Sequence, residues 1–170
     1  AGGLYTLPRY DCERTVNYGW MYREDIFEKH NLKAPETFDE LYEVCKELKA
    51  IYPNSYPLCM RNGIGNSLNI MSPSFDKDWH GMRVYYDEGE KAFKHGALEP
   101  AMKEYLEFCL KMIDEGLLNP DFATIKSAEW QQLITTNRGF ITPEYQTRID
   151  FFNSIFKDNN EPGRFTAMIP

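Results

Sequence analysis

The chain has 170 residues, 42% of them hydrophobic and 26% charged, enough apolar material for one globular core and too much for a disordered segment. A formal net charge of −7 with no run of lysines or arginines argues against a nucleic-acid or anionic-membrane binder, which would carry a basic patch. No apolar run reaches the roughly 18 residues of a membrane span, and the opening AGGLYTLPRY lacks the basic and apolar regions of a secretory signal.

Taken in chain order, Leu4 to Pro8 reads as a strand and Tyr18 to Tyr22 (YGWMY) as another, after which Asp25 opens a short helix carrying Ile26 and Phe27. Thr37 and Glu40 form a capping box, in which each side chain satisfies an orphan backbone donor at a helix start. Behind it Phe38, Leu41, Val44, Cys45 and Leu48 recur at spacings of three and four, the stripe of an amphipathic helix. Ser55 to Gly63 (SYPLCMRNG) reads as a buried strand released into a loop at Arg61, Asn62 and Gly63, with a short helix after it in NSLNI. MRVYYDEGEKAFKH reads as a β-hairpin, turning over Asp87 to Glu90 with Gly89 supplying the permissive backbone. A long helix is predicted from about Glu99 to Glu115, with Met102, Tyr105, Leu106, Cys109, Met112 and Ile113 on one face and Gly116 as its left-handed cap.

NPDFAT is a turn, and Ser127 is expected to cap a helix carrying Trp130, Leu133 and Ile134. In GFITPEYQTRID an apolar strand is expected to stop at Ile141, with Thr142 as N-cap and Pro143 at the first helical position, where its missing donor costs nothing. That helix would be buried through Ile149, Phe152, Ile155 and Phe156. Tyr145 and Gln146 are surplus to the needs of a helix start, and they fall where a strand end meets a helix N-terminus, the place at which open α/β sheets bind ligands. Phe165 to Ile169 is a last strand, so strands alternate with helices in an α/β pattern.

Catalytic signatures are sparse. RNGIGNS has neither the lysine nor the glycine spacing of a phosphate loop, and no GxSxG or HExxH occurs. His30, His80 and His95 lie in polar surroundings without a nucleophile nearby and read as surface residues. The four cysteines, Cys12, Cys45, Cys59 and Cys109, show no metal-ligand spacing. Cys45, Cys59 and Cys109 fall in apolar patterns and read as small buried hydrophobes, while Cys12 has no assignable place. Asp76 and Asp78 near Trp79, and Glu144 beside Tyr145, are the carboxylates that could serve as the acid pair of a glycoside-cleaving site. Trp20 and Trp130 read as core.

GGLYTLPRYD, GWMYREDIFEKHNLKAPETFDELYEVCKELK, EGLLNPDFAT, GFITPEYQTRIDFF and FTAMIP, in that order, resemble the extracellular solute-binding proteins of ABC importers. The likeness is to family 1, especially the long lipoprotein type of Gram-positive bacteria that takes up oligosaccharides. It implies an α/β fold: one lobe of a type II periplasmic-binding-protein-like fold, a central β-sheet flanked by helices, spanning residues 1–170 between hinge crossings at 4–10 and 165–170. It also implies a sugar or oligosaccharide ligand, a membrane permease as partner through the full-length protein, and an extracellular, lipid-anchored location. The resemblance makes Tyr145 the first candidate ligand contact, by stacking its ring on sugar C–H groups, with Gln146 beside it as a donor and acceptor for hydroxyls. Tyr145 could instead pack under the preceding loop. Arg61 and Asn62 would lie on the same rim, as would Arg9 and Tyr10 beside the hinge, each in contact or solvated. The loop of Trp79 could fold over the cleft or pack on the hairpin. The link AIYPNSY lacks the acidic ligand set of the calcium loop that some relatives carry, so no metal site and no cofactor are expected. The competing expectation is a lobe of a carbohydrate-active enzyme that uses paired carboxylates.

Overall fold

A computed structural model describes residues 18–61, 70–76, 79 and 81–168. Of the sequence expectations, the strand at Leu4–Pro8, the helix start in NSLNI, the ring of His80, and Arg9, Tyr10, Cys12, Asn62 and Asp78 lie outside the described residues. In chain order the elements are β1 (Tyr18–Arg23), α1 (Glu24–His30), α2 (Phe38–Ile51), a helical run at 70–75 (α3), β2 (Val84–Asp87), β3 (Ala92–His95) and a 3-10 turn (Gly96–Leu98). They continue with α4 (Pro100–Asp114), α5 (Ser127–Thr135), β4 (Ile141–Tyr145), α6 (Thr147–Asp158) and β5 (Phe165–Met168).

The main sheet is ordered β4-β1-β5, with β1 antiparallel to both neighbours. It is widened beyond β4 by the predicted SYPLCM segment, which adds through single parallel bridges from Leu58 to Ile141 and to Leu118. The Cys59 amide donates to the Ile141 carbonyl at 2.9 Å and the Leu58 amide to the Leu117 carbonyl at 2.9 Å. Among the described residues only β1 runs against the rest, so the C-terminal ends of the other segments and the N-terminal end of β1 share one edge.

Alternation along these strands divides the core in two, because successive side chains leave opposite faces of a sheet. Trp20, Leu58, Met60, Ile141 and Met168 join α1, α2 and α4 in one apolar cluster. Met21, Cys59 and Phe165 join α5 and α6 in the other. The result is a sheet with helices on both faces, a mixed α/β architecture. The helix faces follow the predicted stripes: Leu41, Val44, Cys45 and Leu48 are buried on α2, and Tyr105, Cys109 and Met112 on α4. Leu106, expected on that face, is exposed. Trp20 and Trp130 are core residues, as are Cys45, Cys59 and Cys109, all three unpaired thiols.

Several local expectations are corrected. Thr37 caps α2 by accepting from the Glu40 amide at 3.2 Å, but the Glu40 carboxylate takes the Glu36 amide at 2.7 Å rather than that of the cap residue. The hairpin forms as predicted, yet its left-handed residue is Lys91, at φ 52, and not Gly89. The turn is held by the Asp87 carboxylate accepting from the Glu90 amide at 2.8 Å. Gly116, at φ 67, is left-handed as expected. His30 and His95 are half-buried and engaged, His30 Nε2 with the Tyr52 hydroxyl at 2.9 Å and His95 Nδ1 accepting from the Ala97 amide at 3.1 Å.

The largest departure lies in ITPEYQ. The strand continues through Tyr145, paired with β1 from Tyr22↔Ile141 to Tyr18↔Tyr145, and the helix begins only at Thr147. Thr142, Pro143 and Glu144 are buried, so five cross-strand pairs and their burial override a local helix-start signal. The parallel bridging to β4 is seen at Ile141, and Pro143, two residues on, has no amide with which to extend that ladder.

A tyrosine pair above a buried ion pair

β1 and β4 end together at the shared sheet edge, which makes Tyr18 and Tyr145 a directly opposed cross-strand pair. Their ring centroids are 4.2 Å apart at 35°, and the Tyr18 hydroxyl donates to that of Tyr145. Tyr18 is 37% and Tyr145 38% exposed, so both remain partly open to solvent. The bond to Tyr145 and, secondarily, burial push the Tyr18 phenol up to about 12. Gln146 follows on the surface, its amide nitrogen 3.1 Å from the point where a Cβ on Gly19 would lie. The lack of a side chain at Gly19 thus makes room for the turn from β4 into α6.

Glu144 points to the opposite face from Tyr145, as alternation demands. There it meets Arg61, whose Nε lies 2.6 Å from Glu144 Oε2, with side chains 7% and 1% exposed. Arg61 Nη1 donates to Ser127 Oγ at 2.8 Å, and the guanidinium sits 4.6 Å over the Trp130 ring. The other oxygen, Glu144 Oε1, accepts the Tyr145 amide at 2.9 Å. Ser127 is therefore the first residue of α5 rather than its cap. The Glu129 carboxylate serves that helix start instead, accepting the Lys126 amide at 3.2 Å. Deeper on the same face, burial pushes the Cys59 thiol up to about 12, against a smaller opposing pull from Trp130 and Thr142.

The structure thus brings Tyr145, Gln146 and Arg61 to one edge, but in different states. Tyr145 is half-open at a strand end, not on a helix turn. Arg61 is neither solvated nor open to a ligand, because its charge is consumed internally. Trp79 is buried, its indole nitrogen donating to the Gly96 carbonyl at 2.8 Å and its ring lying between Phe75 and Tyr105. Of its two expected placements, packing against the hairpin's end is the one realised. Sequence reading missed Tyr18, whose only signal was its place as first residue of an aromatic strand, and it missed the pairing of Arg61 with Glu144. Among the described residues no group of acidic, histidine or cysteine side chains is arranged to hold a metal ion, and no helix is long and apolar enough to cross a membrane.

Over residues 2–162 the chain matches the model of the family described as bacterial extracellular solute-binding protein. It is 26% identical over 153 residues to lipoprotein LipO of Bacillus subtilis, covering 84% of this chain and 29% of that protein. It is 27% identical over 143 residues to the polygalacturonan/rhamnogalacturonan-binding protein YtcQ of the same species, covering 82% and 28%. In structure it superposes on the alginate-binding protein AlgQ2 with a TM-score of 0.71 and 24% identity, over 90% of this chain and 32% of that one. The chain spans less than a third of the length of these curated relatives.

Proposed function

The chain belongs to the bacterial extracellular solute-binding protein family, and from that premise we propose that it is one lobe of the substrate-binding component of an ABC importer, capturing a sugar or oligosaccharide outside the membrane. The observation that carries the ligand class is the half-exposed Tyr18–Tyr145 pair at the sheet edge where strand ends converge. Aromatic faces with a wet hydroxyl suit the alternating C–H and O–H surface of a sugar ring. Gln146 adds an amide, and Asn62, Arg9 and Tyr10 complete the candidate contacts. The names of YtcQ and AlgQ2 support a saccharide ligand, and that of LipO supports a lipid anchor. In this reading residues 1–170 form the lobe, segments 4–10 and 165–170 cross the hinge, and the complete protein delivers its cargo to a membrane permease.

The enzyme reading is disfavoured by Glu144. Both of its oxygens are engaged, one by Arg61 and one by the Tyr145 amide, and the group is almost wholly buried, so it cannot reach a glycosidic oxygen. The lobe holds its ligand without cleaving it.

The test is calorimetry on the complete protein with oligogalacturonate, oligoalginate and stachyose, comparing Tyr145→Ala with Tyr145→Phe. Binding should leave the saccharide uncut. Loss of the ring should weaken binding by roughly five- to tenfold, on the order of 1 kcal/mol, with a small change in melting temperature. Unchanged affinity for a bound saccharide would move the site elsewhere, and new reducing ends would favour the enzyme.

A further inference from the structure

We propose that the Arg61–Glu144 ion pair is a latch that holds the end of β4 in the strand conformation and so positions Tyr145 against Tyr18; this rests on the sugar-binding reading only for the use made of Tyr145. Thr142 and Pro143 carry a strong local instruction to begin a helix, cap residue followed by proline. The structure refuses it for four residues, through Tyr145. Such a conflict between local preference and final fold needs something specific to settle it.

Cross-strand pairing secures Ile141 and Thr142, and Ile141 is also bound on the other flank by the 57–59 segment. Beyond Ile141 no backbone bond joins that flank among the described residues, and Glu144 and Tyr145 pair with β1 at its first two residues. Here the Glu144 carboxylate makes two contacts at once, a hydrogen bond from the following amide and an ion pair with a guanidinium. The guanidinium is in turn pinned to the first residue of α5 and to the Trp130 face. The last two residues of β4 are thereby tied to a different helix from the one they precede. Stability alone does not account for the arrangement, since a buried ion pair is commonly replaceable by apolar side chains without loss. Positioning does account for it, because an apolar pair would fill the space and release the Tyr145 amide. Arg61 and Glu144 are positioning residues: neither faces the open side of the tyrosines.

The test uses the 170-residue chain and needs no ligand. Tyrosine side chains are followed by NMR in wild type, in the apolar pair Arg61→Met/Glu144→Met, in Glu144→Gln, and in Tyr145→Phe as the reference for a lost hydroxyl contact. In wild type the Tyr18 and Tyr145 rings should show a direct cross-relaxation contact, and Tyr18 should stay protonated well above the ordinary tyrosine value of about 10. The folded apolar pair should keep a near-native melting temperature yet lose the ring contact, with Tyr18 titrating near the Tyr145→Phe value. Should that variant fail to fold, Glu144→Gln, which retains shape and an acceptor oxygen, should show a reduced ring contact while still folded. A native ring contact and native Tyr18 titration in either folded variant would overturn the latch. Loss of the contact together with an unchanged sugar affinity of Tyr145→Ala would leave the latch standing and remove only the sugar site.

Discussion

Asp25→Ala should be among the most damaging single substitutions available on the surface-facing side of this fold. Asp25 grips Arg23 through two bonds of 2.7 Å, and its Oδ1 also accepts the Arg164 amide at 2.9 Å. One carboxylate therefore joins the end of β1, the start of α1 and the approach to β5. Arg23 is 4% exposed and Asp25 17%, so removing the acid strands a buried guanidinium. Breaking a buried pair in this way costs about 3–5 kcal/mol. Arg23 keeps a 2.8 Å bond to Asn137 and its place 4.5 Å over the Phe156 ring, which puts the expected loss at the lower end, about 3 kcal/mol. Urea denaturation at neutral pH measures it, with Asp25→Asn losing less because it retains an acceptor. Acid provides a second check. Burial works to raise the Asp25 carboxyl, but the Arg23 bonds and the Arg164 amide outweigh it and hold the group below its ordinary value of 3.8. The folded state thus binds this proton less readily than the unfolded chain. Its stabilisation is full above about pH 4 and fades as pH falls through the depressed folded value. The gap between wild type and Asp25→Ala should accordingly narrow as pH falls below the ordinary value of 3.8. A loss under about 1 kcal/mol at neutral pH, or a gap indifferent to acid, would show that Arg23 finds adequate partners without Asp25.

Two further outcomes are expected. Gly139→Ala would place a methyl group 2.6 Å from the Cys59 sulfur, an overpacking that should cost about 1–3 kcal/mol by chemical denaturation; pairing it with Cys59→Ala should recover most of that loss, and strict additivity of the two changes would refute the steric account. Melting temperatures with a chelator and with millimolar calcium should coincide, whereas a rise of many degrees with calcium would expose a metal site formed by residues outside those described.

The helices and their buried faces were legible in the sequence because an amphipathic stripe is a local signal. Leu41, Val44, Cys45 and Leu48 announce their burial by spacing alone. The hairpin was equally local, through its turn residues. Long-range decisions were not legible. ITPEYQ contains the local marks of a helix start, and long-range contacts override them: pairing with a strand over a hundred residues away and the ion pair with Arg61. Arg61 looked like a rim residue because its partner, Glu144, is 83 positions on, and no spacing rule connects them. Tyr145 stands out as a candidate through its surplus to structural need, while Tyr18, an ordinary strand residue locally, becomes notable only when it faces Tyr145 across the sheet.

The three unpaired thiols have a consequence for how the molecule ages. Thiolate is the form that oxidants and electrophiles attack, and burial drives Cys45, Cys59 and Cys109 all away from it. Cys59 is sealed in the α5–α6 layer, and Cys45 and Cys109 in the layer of α1, α2 and α4. At these three positions, chemical wear cannot proceed on the closed molecule. Its pace is governed by how often each helical layer lifts from the sheet, so the lifetime of the thiols is a mechanical property of the fold before it is a chemical one.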